Sequence, residues 1–166
     1  REREGLYLGK TIQIVPHITN TIKEYIRTCA EKSGADIFIC EIGGTVGDIE
    51  AEPYLEAIRQ LHHEEGHHTI LFVHLVLLPY LKSSGELKTK PAQASVRELR
   101  KIGINADIIL CRFDDDHIDR EHLEKIALFC DVPMEAVIPA PTVASIYEVP
   151  LNFDKSNIVK LITHHF

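Results

Sequence analysis

No apolar run in this sequence approaches the roughly 20 residues needed to cross a bilayer. The opening Arg1-Glu2-Arg3-Glu4 is neither a signal peptide nor a membrane anchor. A soluble, cytoplasmic protein is the expectation. No C-x-x-C pair occurs, and Cys29, Cys40, Cys111 and Cys130 lie far apart in apolar or helical contexts. They read as reduced core thiols, which argues against a disulfide framework or a zinc ribbon. A basic surplus is also missing: 18 Lys and Arg face 25 Asp and Glu, a net charge of −7. That balance speaks against a general nucleic-acid binder. No internal repeat, low-complexity tract or linker interrupts the 166 residues, and 45% hydrophobic content suffices for a single domain that buries roughly 70% of its unfolded surface.

The most informative segment that is present runs Ile37-Phe38-Ile39-Cys40-Glu41-Ile42-Gly43-Gly44-Thr45-Val46-Gly47-Asp48-Ile49-Glu50. A short apolar run ending in a carboxylate and a glycine-rich turn reads as a buried parallel strand that delivers Glu41 to a sheet's C-terminal edge. Open α/β sheets bind their ligands at that edge. The glycines permit close approach of a ligand to the backbone, and Asp48 and Glu50 add carboxylates to the same rim. A magnesium or nucleotide site is the expectation.

Strand and helix patterns alternate along the chain. Residues 11–15 form a short strand. Thr19 or Asn20 caps a helix to Ser33, where Gly34 supplies the stop. Residues 37–41 are the next strand, and Pro53 opens a helix carrying Leu55, Ile58 and Leu61 until Gly66. Residues 69–78 are a long buried strand, residues 93–102 a helix closed by Gly103, residues 108–111 a strand and residues 120–129 a helix. A short strand at 136–138 and a terminal helix at 155–164 complete the pattern. This order implies an α/β fold with a doubly wound, mainly parallel sheet.

The one long irregular connection is residues 79–91, and loops of that length are often functional. From Lys82 to Lys101 there are six basic residues and two acidic ones, Glu86 and Glu98, a local reversal of the overall charge. Such a reversal fits a small polyanion such as a triphosphate. Lys88, Thr89 and Lys90 suit phosphate oxygens, Pro91 restricts the backbone, and Gln93 lies in a first helical turn whose free N–H groups favour anions. A solvated helix face is the competing reading, and for Arg97, Arg100 and Lys101 it is the preferred one.

The segments Glu41 to Glu50, Ser84-Gly85-Glu86-Leu87-Lys88-Thr89-Lys90-Pro91, Ser95-Val96-Arg97-Glu98-Leu99 and Ser145-Ile146-Tyr147 closely resemble the amidoligase (synthetase) domain of the CTP synthase family. Tyr7-Leu8-Gly9-Lys10-Thr11 and Pro16-His17-Ile18-Thr19 fit the same pattern. The resemblance runs from near residue 5 to the C-terminus in one register, apart from small differences around residues 30–36 and 114–120. It implies a P-loop NTPase-like sheet related to dethiobiotin synthetase, here an N-terminally incomplete synthetase domain spanning residues 1–166. It also implies a ligase that makes CTP from UTP, ATP and glutamine-derived ammonia: ATP phosphorylates the uracil 4-oxygen, and ammonia displaces that phosphate.

Carried over residue by residue, the resemblance makes Glu41 a ligand of Mg2+ and places Asp48, Ile49 and Glu50 at the pyrimidine nucleotide, inhibitory CTP included. Lys88, Thr89, Lys90, Pro91, Ala92 and Gln93 match the UTP/CTP site, with Lys88 and Lys90 as its catalytic cations, and Lys125 adds a further lysine there. Ala92 departs from the threonine of many relatives. Gln13 and His17 lie where relatives line the pyrimidine site, while Arg112 and Pro141-Thr142-Val143 match the ATP side. The family works as a homotetramer with nucleotide sites between subunits, so Glu50 and Lys88 need not meet within one chain.

The family's phosphate loop and glutaminase domain fall outside this chain's match, and the absent initiator methionine agrees with a fragment. Gly9-Lys10-Thr11 imitates the tail of a Walker A motif, but Glu4 stands where a glycine is required, and the segment leads into a strand. Little or no ligase activity is therefore expected of the isolated chain. A catalytically incompetent pyrimidine-binding or tetramer-assembly module is the alternative. A different ligase of the dethiobiotin synthetase kind is disfavoured by the segment from Lys88 to Gln93. Other candidates carry less. His62, His63, His67 and His68 contain an i,i+4 pair, but a polar helix end broken by Gly66 is preferred over zinc. His74 reads as a hydrogen-bonded core histidine, and His164 and His165 as surface residues. Asp114-Asp115-Asp116 lacks the glycine of a calcium loop, and none of the cysteines has the company of a nucleophile.

Overall fold

A computed structural model describes residues 2–114 and 118–166, the side chain of Glu2 excepted. Two compact units divide the chain, Arg1–Glu64 and Glu65–Phe166.

In the first unit, a turn at Ile14–Ile18, extended at Val15 (φ −105°, ψ 123°), runs into α1 (Thr19–Ser33). The expected side-chain cap at Thr19 or Asn20 is absent. The preceding turn already offers the Thr19 N–H the carbonyls of Ile14 and Pro16, and the Thr19 hydroxyl donates to Pro16 O at 3.2 Å. Gly34 stops α1 as expected, at φ 61°, a left-handed conformation that glycine adopts without steric cost. α2 (Glu52–Glu65) buries Leu55, Ala57 and Leu61, while Ile58 is only half-buried. Lys23, buried on α1, pairs with Glu64, whose other oxygen accepts from Arg27 at 2.7 Å. The two cations hold the Glu64 carboxyl below its ordinary range. On α2 the Glu56 carboxyl is lowered to about 2, chiefly by the hydrogen bond from Arg59.

Neither expected strand of this unit forms. Residues 11–13 and 38–43 carry no regular secondary structure, and Ile37, Phe38 and Ile39 are exposed. No ladder includes them among the described residues, and an apolar segment becomes a strand only through hydrogen bonding to a partner.

The second unit is α/β. Its sheet has the order β1-β4-β5, all parallel, built from β1 (Val73–Leu77), β4 (Ile108–Phe113) and β5 (Val137–Pro141). Val76 pairs with Cys111 and Leu110 with Ile138. α3 (Lys90–Lys101) and α4 (Arg120–Cys130) supply the crossovers that parallel neighbours require. Val76, Ile109, Cys111, Phe113 and Val137 meet Ala92 and Val96 of α3 and Ile126 and Cys130 of α4 in one core cluster.

β1 is shorter than expected and is not buried on both faces. Val73, Leu75 and Leu77 are exposed, whereas Val76 and Leu78 are buried. β1 stands at the sheet's edge, and alternate side chains of a strand point to opposite faces. Residues 79–91 are likewise more ordered than expected. β2 (Tyr80–Leu81) and β3 (Glu86–Leu87) form an antiparallel pair closed by a turn in which the N–H groups of Ser84 and Gly85 donate to Leu81 O. α3 starts three residues before the expected position. Arg100, read as a solvated residue, instead donates to Cys130 O at the end of α4. The chain ends in two helices, α5 (Val149–Lys155) and α6 (Ile158–His165), parted by Asn157 at φ 57°. His165 is half-buried, with Nε2 3.1 Å from Ile70 O, so it is not a surface residue.

His74 is the hydrogen-bonded core histidine expected, its Nε2 2.9 Å from Ser95 Oγ of α3. Burial lowers its pKa from 6.5. The unfolded chain therefore binds this proton at a pH where the folded one does not, and stability falls as pH drops below about 6.5. Thermal denaturation across that window should show the slope. His74→Gln keeps a partner for Ser95 but does not titrate, and it should flatten the profile.

Candidate functional site

The candidate residues lie in both units, and each unit holds a distinct part of the chemistry. In the first, tight turns carry the chain from Glu41 into α2. The Asp48 N–H donates to Thr45 O and the Ala51 N–H to Asp48 O, both at 3.0 Å, and Glu52 N–H donates to Ile49 O at 3.4 Å. Gly44 and Gly47, at φ 94° and 103°, make these turns possible. Asp48, Ile49 and Glu50 therefore stand on one exposed rim, with Ile49 82% exposed. Glu41 is exposed as well, but at the end of an irregular segment instead of a strand.

Gln13 and His17 are brought together. The Gln13 backbone N–H donates to His17 Nδ1 at 2.9 Å, and the His17 ring meets Tyr7 edge-on at 5.0 Å. A backbone N–H can only donate, so Nδ1 is an acceptor and the ring proton sits on Nε2. His17 thus presents an N–H donor, suited to a carbonyl such as that of a pyrimidine.

In the second unit the β2–β3 hairpin delivers Lys88 to the start of α3. The Lys88 N–H donates to Pro79 O at 2.9 Å, and its ammonium pairs with Glu86. Thr89 is buried, and its hydroxyl accepts from Gln93 Nε2 at 3.1 Å, which fixes that amide one turn into the helix. Lys90 and Pro91 are exposed, and no acidic residue occupies the first turn of α3. The dipole of a twelve-residue helix and two lysines thus converge where an anion is favoured. Ala92 is only 1% exposed and belongs to the core, so its methyl packs inward. Lys125 is exposed on α4. Lys101 pairs with Glu98 at 2.7 Å, and Arg97 is solvated.

At the C-terminal ends of β4 and β5, Arg112 lies opposite Ala140 and Phe113 opposite Pro141. The Thr142 N–H donates to Phe113 O at 2.9 Å, and the Thr142 hydroxyl donates to Asp114 Oδ1 at 2.6 Å. Arg112, Pro141 and Thr142 are therefore gathered at one sheet edge, with Val143 next in the chain. The Asp114–Thr142 tie was missed by sequence reasoning, since 28 residues separate the partners. The pairing of Glu86 with Lys88 was missed too, although an acid two residues before Lys88 in a basic segment was a visible signal. Asp115 and Asp116 lie outside the described residues.

Among the described residues no group of three or more His, Cys, Asp or Glu side chains is gathered to hold a metal ion. His62, His63, His67 and His68 thus form no such centre. A single carboxylate such as Glu41 still suits Mg2+, which takes one or two carboxylates and completes its shell with phosphates and water. Burial pushes the Cys111 thiol up to about 12, helped by Cys130, and burial also raises Cys130. Neither is an activated nucleophile. Cys40 is exposed and Cys29 half-buried, so these two are not core thiols; partial desolvation and the nearby Cys29 still raise the Cys40 pKa. No helix among the described residues is long and apolar enough to cross a membrane.

Comparison with known proteins adds to this geometry. A family model described as "CTP synthase N-terminus" matches residues 1–166. The chain is similar to the CTP synthase of Symbiobacterium thermophilum, 56% identical over 163 residues, covering 98% of this chain and 30% of the relative. It is likewise similar to the CTP synthases of Methanothermobacter thermautotrophicus, at 55% over 158 residues, and Methanocaldococcus jannaschii, at 56% over 163 residues. These cover 95% and 98% of the chain, respectively, and 30% of each relative. The chain thus spans about 30% of the length of the curated relatives it matches.

Proposed function

The chain belongs to the CTP synthase N-terminal family, and from that premise we propose that it forms the pyrimidine-nucleotide part of a ligase that aminates UTP to CTP at the expense of ATP. The observation that carries this reading is the start of α3. There Lys88, Lys90, the Gln93 amide fixed by buried Thr89, and a helix N-terminus free of acid form a site for a triphosphate.

The remaining residues take roles that their chemistry suits. Lys88 and Lys90 neutralise charge on the nucleotide phosphates and on the phosphoryl group passing to the uracil 4-oxygen, and Lys125 adds a third cation. His17, with its proton on Nε2, and Gln13 face the pyrimidine, while Asp48, Ile49 and Glu50 hold the nucleotide in either its UTP or its CTP form. Arg112 and the segment of Pro141, Thr142 and Val143 serve ATP at the sheet edge, where open α/β folds bind ligands. Glu41 would hold Mg2+, which supplies Lewis-acid neutralisation of phosphate charge when bound. Ammonia comes from a glutamine amidotransferase activity of the whole enzyme, a homotetramer whose subunits complete one another's sites. The sheet is one part of a doubly wound fold of the P-loop, dethiobiotin synthetase-like kind.

A second reading, a pyrimidine-binding or assembly module without turnover, is favoured by one observation. Gly9-Lys10-Thr11 lies in an exposed turn closed by the Lys10 N–H to Tyr7 O, and residues 11–13, which follow, are not helical. It offers no phosphate cradle leading into a helix.

Calorimetric titration of the chain with CTP and with UTP, magnesium present, tests the proposal. Saturable binding of both, in competition for one site, is expected. Binding of neither, or of ATP with no response to pyrimidine nucleotides, would overturn it. Binding without conversion of UTP, when ATP and ammonia are also supplied, would select the second reading.

A further inference from the structure

The Lys88 ammonium is paired with the Glu86 carboxylate, two residues earlier on β3. Glu86 is exposed, and Lys88, with lesser help from the Ser84 hydroxyl and His122, holds its carboxyl below the ordinary range. A cation waiting for a phosphate is therefore occupied by an internal anion. Once a phosphate takes Lys88, Glu86 would stand as an unpaired charge beside a polyanion, and like charges at such range repel.

A second group is placed to receive it. Leu87 of β3 and Ile126 of α4 belong to one core cluster, and His122 of α4 lies close enough to Glu86 for its charge to act on that carboxyl. His122, on the first turn of α4 and one turn before Lys125, has a buried Nδ1 with no hydrogen-bond partner. The Asp119 Oδ2 carboxylate oxygen is 3.9 Å from that nitrogen, beyond hydrogen-bond reach. Burying an unsatisfied nitrogen is unfavourable, and with the ring proton on Nδ1 a carboxylate is the acceptor that would relieve it.

We propose that Glu86 is a charge gate on Lys88, neutralising it in the free chain and passing to His122 Nδ1 when a polyphosphate takes the lysine. The inference rests on the triphosphate reading of the α3 start. It makes Glu86 and His122 positioning residues for the nucleotide, neither of which touches the reacting atoms. The free chain keeps its lysine ordered and its charge compensated, and only a ligand carrying several charges displaces the carboxylate.

The test titrates inorganic tripolyphosphate and CTP into the wild-type chain and into Glu86→Gln, His122→Gln, the double variant and Lys88→Ala. Removing the internal competitor should tighten tripolyphosphate binding about threefold to fivefold, the range of an exposed ion pair. His122→Gln should weaken it by about twofold to threefold, and that loss should vanish in the Glu86→Gln background, which a merely structural histidine would not show. If Lys88→Ala loses binding while Glu86→Gln is unchanged or weaker, the gate is wrong and the site stands. A His122 effect that persists in the double variant overturns the hand-over. Indifference to Lys88→Ala, or no saturable binding in any variant, removes the site reading and the gate with it.

Discussion

Lys88→Ala is expected to weaken CTP binding by about tenfold to a hundredfold. A charged donor's hydrogen bond to phosphate contributes roughly 1.5–3 kcal/mol, and each 1.4 kcal/mol is about a factor of ten in affinity. Lys88 is held in place by the bond of its backbone to Pro79 O, so its reach to the α3 start depends little on the mobility of a long loop. Raising the salt concentration should weaken the wild type more than the variant, because the lysine's exposed charge is part of what is screened. Lys101→Ala serves as the control: it removes a lysine of the same basic segment that already pairs with Glu98 on the far end of α3, and its affinity should stay within about twofold. Equal affinities for wild type and Lys88→Ala would place the triphosphate elsewhere.

Ile109→Ala should destabilise the unit Glu65–Phe166 by about 4 kcal/mol, toward the upper end of the range for large-to-small core changes. Ile109 is fully buried on β4, the central strand of the sheet, and lies in the cluster that joins α3 and α4 to β1 and β5. Neighbours on four elements would have to move to fill the void, and a well-packed interior relaxes only partly. Leu75→Ala removes as many side-chain carbons from β1 but at a position 60% exposed, and it should cost less than about 1 kcal/mol. Urea denaturation reads both: a large fall in midpoint at unchanged slope for Ile109→Ala and a small one for Leu75→Ala. Similar losses at the two positions would mean that the core does not sit where the cluster puts it.

These two expectations draw on different kinds of legibility. The segment from Lys88 to Gln93 was readable because its chemistry is contiguous: two lysines, a threonine, a proline and an amide within six residues, ahead of a helical pattern. The Asp114–Thr142 bond and the nearness of Glu86 to His122 were not readable, since their members come from separate elements brought together by packing. Secondary structure divides in the same way. α1 with its Gly34 stop, α2, α4 and β4 follow from local periodicity and end signals. The break at Asn157 was missed because Asn in a left-handed conformation is permitted, not required. Residues 37–41 carry the pattern of a buried strand, yet a strand exists only with a partner, and none of the described residues pairs with them.

By itself the sequence determined the α/β alternation, the family, the acidic balance with its basic exception, and the residue types offered to a nucleotide. Each of these depends on neighbours in the chain or on composition, which no folding changes. Tertiary structure alone decided that β1 lies at a sheet edge with one apolar face exposed, that Arg100 holds the end of α4, that Cys111 is buried while Cys40 is not, and that Lys88 begins in the grip of Glu86. Burial, pairing and charge compensation are properties of what surrounds a group in space, and those surroundings come from residues that the chain holds far apart.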